Sequence, residues 1–262
     1  MDGSTLARVY CALNYVKVRQ LMRISPLFKQ FGSKWSSAKH LPSPKYVVIC
    51  EPYAGGAGYS LNHVEHDVVL AETDKNIHAL WLFLLSCTET EVRDLPINLP
   101  DGMDIRSLGL STGGALLIKH WQRTNNFGDC WTTSPWGNKP GQWTANTRAR
   151  VAEQSQAIKH WKVVDCAGSL FREKADDACT WHIDPPYQYN YQYKQPPIDY
   201  QQLSATIRSL HGQVMVCEAR EPKTGTAPSW LPFRDHVSSV TSRRKPTESH
   251  HSRELIYTAD QG

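Results

Sequence analysis

Two short β-branched runs, each stopping on residues that carry chemistry, constrain this chain more than any other feature. YVVIC (46–50) runs into Glu51-Pro52 and a stretch of small residues, EPYAGGAGYS. DVVLAE (67–72) ends on acids and is followed by an apolar-periodic segment from about Asn76 to Leu85. Short β-branched runs bounded by Gly and Pro read as buried strands. Two strands joined through a loop and helix point to a parallel sheet with a right-handed crossover. With 262 residues, the chain has room for one large α/β domain carrying an insertion, or for two small domains.

The rest of the chain extends this pattern. Residues 5–24 place Leu6, Val9, Tyr10, Leu13 and Val16 at roughly helical spacing before Pro26. From about Leu95 to Ala145, Gly, Asn, Thr and Trp dominate and periodicity is weak (LSTGG, RTNNFGDCW, SPWGNKPGQW). That length is too great for a plain connection, so we expect an inserted region of irregular structure. Residues 147–161 read as a helix with the strand KVV behind it. The remaining expected elements are the strand CTWHI (179–183), a helix near Tyr200–Leu210, the strand QVMVC (213–217), and β-like segments at Val237–Thr241 and Glu254–Thr258. The expected architecture is an α/β Rossmann-like fold with a mixed, mostly parallel sheet flanked by helices. It divides into an N-terminal part (1–94), a small inserted region (95–146) and a C-terminal part (147–262).

Composition excludes several classes. The hydrophobic fraction of 40% suffices for a packed core, which argues against disorder. The longest dense apolar stretch, Ala79 to Leu85, falls well short of the about 20 residues a membrane span needs. MDGSTLARVY lacks a basic-then-apolar leader pattern, and the expected setting is soluble and cytoplasmic. The seven cysteines (Cys11, Cys50, Cys87, Cys130, Cys166, Cys179, Cys217) form no C-x-x-C pair and have no histidine at zinc spacing. They read as free, mostly buried thiols in a reducing compartment, with no metal site. His250 and His251 read as part of a solvated polar run. The net charge is +4, with basic residues clustered at Lys17, Arg19, Arg23 and Lys29, from Arg148 to Lys162, and at Arg243-Arg244-Lys245. Such clusters suit phosphate contact or simply a hydrated face.

Three features stand at the ends of successive expected strands, the edge where open α/β sheets bind ligands. In Glu51-Pro52-Tyr53-Ala54-Gly55-Gly56-Ala57-Gly58 the small residues permit a tight turn and close approach to a ligand. The run is neither G-x-x-x-x-G-K-[ST] nor a clean G-x-G-x-x-G, which lowers the nucleotide-triphosphatase and NAD readings. Glu72 with Asp74 offers either an acceptor for ribose hydroxyls or, at Asp74, a helix cap. The third feature, Asp184-Pro185-Pro186-Tyr187, is the most specific. Its prolines stiffen an extended backbone, presenting the Asp184 carboxylate, the Pro185 carbonyl and an aromatic face. Two acceptors beside a stacking face suit a planar ring bearing an amino group.

Together these residues resemble Dam-type adenine-specific DNA methyltransferases, which use S-adenosylmethionine. FGSKW (31–35) is similar to that family's upstream cofactor motif and EPYAGGAGYS to its Gly-rich cofactor loop. AETD (71–74) is similar to its ribose-binding acid, IDPPY to its catalytic motif and ELIYT (254–258) to its closing strand. The resemblance implies a methyltransferase fold with a target-recognition insertion. It implies catalysis by Asp184, Pro185, Pro186 and Tyr187, with cofactor contacts from Lys34, Trp35, residues 51 to 58, Glu72, Asp74 and Asp184. Asp165 stands where the family often places an acid against the cofactor adenine, although the CAGSL that follows departs from the family pattern. The expected partner is double-stranded DNA, read by Arg123, Lys139, Arg148 and Arg150 among Trp121, Trp131, Trp136 and Trp143. The family also makes a cognate restriction endonuclease a conceivable partner and a bacterial or phage source the expected one. The motif does not choose among amino targets, so N4-cytosine and RNA remain open. So does a catalytically silent, nucleic-acid-binding subunit of the same fold.

Overall fold

The computed structural model describes residues 24–122, 130–188, 198–219, 221, 224, 226–231, 237–240 and 254–261. The expected helix at 5–24, Cys11, Lys17, Arg19, Arg23, Arg123, Arg243 to Lys245, His250 and His251 lie outside the described residues.

Seven strands form one sheet: β1 (Val48–Glu51), β2 (Asp67–Ala71), β3 (Lys162–Val164), β4 (Cys179–Ile183), β5 (Gly212–Ala219), β6 (Val237–Val240) and β7 (Glu254–Gln261), in the order β3-β2-β1-β4-β5-β7-β6. β1 through β5 are mutually parallel, and β7 runs antiparallel between β5 and β6. The helices are α1 (Lys75–Ser86), α2 (Glu89–Arg93), α3 (Thr112–Gln122), α4 (Ala145–Gln154), α5 (Ala167–Glu173) and α6 (Tyr200–Arg208). The molecule is thus an α/β protein with a mostly parallel mixed sheet, compatible with a Rossmann-like fold. None of the described helices is long and apolar enough to cross a membrane.

The strands read as continuous apolar runs because both faces of the sheet are covered. Alternation assigns the side chains to two cores. Ile49, Val68, Leu70, Met215 and Cys217 face the core shared with α1, α3 and α4. Cys50, Val69, Ala71, Trp181, Ile183, Val214 and Val216 face the core shared with α5 and α6. Successive strands step outward from β1 to β3, and the chain then returns to place β4 on the other side of β1. The sheet therefore switches direction between β1 and β4, and such a switch opens a crevice at the carboxyl ends of the two strands.

The inserted region is more ordered than its composition suggests. α3 is buried from Gly113 to Gln122, and Leu95, Leu99, Ile105, Leu116, Trp121 and Trp143 join the same core as α1. Indole N–H groups fasten it there: Trp121 donates to the Leu27 carbonyl (2.8 Å) and Trp143 to that of Pro96 (2.7 Å). STGG reads as a loop signal, but the glycines permit close helix packing. A Cβ on Gly113 would lie 2.1 Å from Phe83 Cβ on α1. Gly113→Ala is accordingly expected to lower the urea midpoint, by about 1–3 kcal/mol of overpacking. The roughly 1 kcal/mol by which alanine is the better helix former offsets part of that cost.

Candidate active site

The three chemistry-bearing strand ends meet around one cavity of about 300 Å³ at the β1/β4 switch. Its wall includes Gln30 to Lys34, Glu51 to Gly56, Gly58, Ala71 to Asp74, Ile77, His182, Asp184, Pro186 and Ile198. The volume lies in the usual range for small-molecule sites.

The Gly-rich turn is built by close approach. Gly55 has φ +46° and Ala57 φ +47°, the left-handed region that a residue with a Cβ enters only under strain. The turn is held by Ala54 N–H to the Ala71 carbonyl (3.0 Å), Ala57 N–H to the Ala54 carbonyl (2.6 Å) and Trp81 Nε1–H to the Gly55 carbonyl (2.9 Å). Gly58 matters for another reason: a Cβ there would meet Trp35 N at 2.3 Å and Lys34 N at 2.7 Å. The missing side chain lets the 33–35 backbone lie on the turn, and this brings Lys34 to the cavity.

Lys34 is buried, and its Nζ donates to Asp184 Oδ2 (2.6 Å) and to the Gly32 carbonyl (2.9 Å). It also stands 5.3 Å from the centre of the Tyr187 ring. FGSKW and DPPY, 150 positions apart, thus form one polar cluster. Pro185 is buried, while Pro186 and Tyr187 are half-buried; Pro186 lines the cavity and its carbonyl accepts the Tyr200 hydroxyl (2.7 Å). Trp35 does not line the cavity. Its Nε1–H donates to the Ile24 carbonyl (2.7 Å) and its ring packs on the core.

The acids divide by role. Glu72 lines the cavity, accepting Gly55 N–H (3.0 Å) and Asp74 N–H (2.8 Å). Burial raises the pKa of its carboxyl above the usual range, against the pull of those backbone donors. Asp74 also lies on the wall while its Oδ1 caps α1 at Asn76 N–H (2.8 Å). Glu51 is 1% exposed: Oε1 accepts Ser60 N–H (2.8 Å) and Oγ–H (2.5 Å), and Oε2 accepts His182 Nδ1–H (3.0 Å). His182 in turn stacks on Tyr59 at 4.9 Å. Glu51 therefore joins β1 to β4 at the cavity wall. Asp165 is exposed and stands apart from the cavity wall; Ser169, then Cys166, hold its carboxyl below the ordinary range.

Gln30 in the wall and Glu218 behind it carried no sequence signal of their own. Gln30 Oε1 and Ser33 Oγ are buried without a hydrogen-bond partner among the described residues, and both belong to the wall. Orphaned buried polar atoms are costly and point to a polar ligand or to water. Glu218, at the end of β5, is fully buried, and burial first, with Asp184 nearby, pushes its carboxyl up to about 7. The run QVMVCEA reads only as a buried strand.

The candidate nucleic-acid residues are partly committed internally. Arg148 donates to the Leu95 carbonyl (2.7 Å), and Arg150 bonds Gln154 (2.9 Å) and stacks on Trp121 (5.4 Å). Lys139 and Trp136 are exposed, and Trp131 lies between Lys119 (4.3 Å) and Arg106 (5.8 Å). No protein-family model matches the chain, and no curated protein matches it.

Two outcomes follow from this geometry. Gly58→Ala must push the 33–35 backbone off the turn and is expected to cost about 1–3 kcal/mol in a urea titration. For Glu218, the folded-state value near 7 exceeds the ordinary 4.5, so the folded protein binds the extra proton. Its contribution to stability is fully present below about pH 4.5 and is lost as pH rises to about 7, on the order of 3 kcal/mol. Glu218→Gln should abolish this part of the pH dependence when thermal melts of the two proteins are compared across that window.

Proposed function

We propose that the protein is an S-adenosylmethionine-dependent DNA methyltransferase acting on the N6 amino group of adenine. The observation that carries this reading is the convergence of Lys34, the Gly-rich turn, Glu72 and Asp184 on one cavity at the sheet's switch point. These residues belong to four of the five runs that resemble the Dam-type family. The ELIYT run, similar to that family's closing strand, begins the antiparallel β7.

The wall suits the cofactor chemically. Lys34 is the one lysine or arginine among the described lining residues, and it would take the methionine carboxylate. Glu72 would accept from ribose hydroxyls, and Gln30 and Ser33 offer polar atoms that lack partners in the protein alone. When bound, the cofactor supplies an electrophilic methyl group on a sulfonium.

The chain's own residues supply positioning and electrostatics. An adenine amino nitrogen is a poor nucleophile because its lone pair is delocalised into the ring. Asp184 and the Pro185 carbonyl accept its two hydrogens, which localises the lone pair on nitrogen and aims it at the methyl. One N–H proton leaves by way of the carboxylate that already accepts it. Tyr187 stacks on the base and keeps water from the reacting atoms. Lys34 has a second role. Its ammonium bonds Asp184 Oδ2, and a cofactor carboxylate would compete for that ammonium, leaving Asp184 the stronger acceptor. The base must leave its duplex to reach the cavity, which costs a few kcal/mol of unstacking.

Calorimetry with S-adenosylmethionine and transfer of a tritiated methyl group to duplex DNA test the reading. Wild type should bind the cofactor and label adenine. Asp184→Ala should keep binding while transfer falls by about a hundredfold or more. A wild type that neither binds the cofactor nor labels DNA would instead favour a silent subunit, and label in cytosine would move the target to its N4 amino group.

A further inference from the structure

The backbone around Tyr187 is held from behind by side chains that belong to none of the motifs. Glu218 stands on β5, the strand next to β4, and is fully buried. Its Oε2 accepts Gln188 N–H (3.3 Å) and Trp230 Nε1–H (3.2 Å), while Oε1 accepts Ala219 N–H (2.7 Å). Tyr200, the first residue of α6, donates its hydroxyl to the Pro186 carbonyl (2.7 Å). The Tyr200 ring packs on Trp230 at 5.2 Å. The peptide groups before and after Tyr187 are therefore tethered, one to each acidic or phenolic partner, and Trp230 touches both partners.

A carboxylate is a costly way to fill this position. Trp230, Leu231, Val216 and Tyr257 form an apolar core on this side of the sheet, and removing a charge from water costs several kcal/mol unless donors replace it. An apolar side chain would pack the core without that cost. What the carboxylate adds is acceptor capacity: an oxygen that takes two N–H groups at once, one from the strand-end loop and one from the Trp230 indole. Glu218 does not line the cavity, so any influence on a bound base is exerted through the 184–188 backbone.

We propose that Glu218, braced by Trp230 and working with Tyr200, is a positioning clamp that fixes the Asp184–Tyr187 backbone in the geometry needed to receive the amino group. The clamp rests on the reading of the cavity as a methyl-transfer site. Its function is to hold the Pro185 carbonyl, the Asp184 carboxylate and the Tyr187 ring in one rigid frame. A misplacement of about 1 Å in such a frame can cost a hundredfold in rate.

The test uses the full-length chain with Glu218→Ala, Glu218→Gln and Tyr200→Phe, measuring cofactor affinity by calorimetry, methyl transfer to duplex DNA, and amide hydrogen exchange. Glu218→Ala should leave the S-adenosylmethionine Kd and the KM for DNA within about threefold, while kcat falls by about thirtyfold. Gln188 N–H should exchange about tenfold faster, with Val214 in β5 unchanged. Glu218→Gln, which keeps an acceptor oxygen, should recover kcat to within about fivefold of wild type. Tyr200→Phe loses a single hydrogen bond and should lower kcat without changing Kd. It carries the test if Glu218→Ala does not fold. Unchanged Gln188 exchange in Glu218→Ala, or faster exchange with unchanged kcat, overturns the clamp. Should wild type transfer no methyl group, the reading of the cavity fails by itself, and Gln188 exchange still decides whether Glu218 holds the loop.

Discussion

A buried ammonium touching a largely shielded, half-buried carboxylate organises this molecule. Lys34 and Asp184 lie 150 positions apart in the chain, and both are mostly withdrawn from water. Each alone would carry a desolvation cost of several kcal/mol, so the pair is stable only when contact is short and the remaining donors have acceptors. The 2.6 Å contact and the Gly32 carbonyl meet that condition. The contact in turn depends on a side chain that is missing. Only with hydrogen at Gly58 can the 33–35 backbone lie on the turn after β1, and only from there does Lys34 reach the end of β4. A backbone contact in one part of the chain therefore sets an electrostatic contact in another.

The sheet explains why these groups meet at this edge. The order that places β1 beside β4 leaves the loops after both strands diverging from the switch, with β2 contributing Glu72 and Asp74 from the next position. Beneath the opening, Glu51 and His182 join the two strands from within, a hydrogen-bonded pair that Tyr59 covers. Glu51 belongs to the Gly-rich motif and lines the cavity, while Ser60 and His182 bond its oxygens. A motif residue can thus serve the scaffold that presents its neighbours.

How far the chain's own letters foretold this varies with the physical signal each residue leaves. β1, β2, β4 and β5 were legible because strands buried on both faces are continuous apolar runs, and their chemistry-bearing ends were legible because Gly, Pro and acid punctuate them. The dual reading of Asp74 resolves as both a cap and a wall residue. α3 was not legible: glycine signals a break when read alone, and only the Phe83 ring on α1 shows that Gly113 is there for contact. α5 was hidden for a similar reason, being one short helix that begins within CAGSL and contains Gly168. Trp35, in the same FGSKW run as Lys34, turns its indole to the Ile24 carbonyl and not to the cavity, which the letters alone could not tell. Glu218 and Gln30 could not have been found by pattern, because what sets them apart is burial and the partners they have or lack.

Several costly features of this fold lie at one edge. Ala57 in the left-handed region, Glu72 and Glu218 with carboxyls raised by burial, and the orphaned Gln30 and Ser33 oxygens all lie within or directly behind the cavity wall. Strain and desolvation of this kind persist only where the surrounding structure over-determines them, and they cluster where a site has been pre-organised. Glu218 illustrates the trade-off, since its charge burdens the folded state near neutral pH while its oxygens hold the loop beside Asp184. An apolar residue in its place would remove that charge and lose the tether with it, which is the exchange expected when selection acts on the geometry of a site more strongly than on the depth of the folding well.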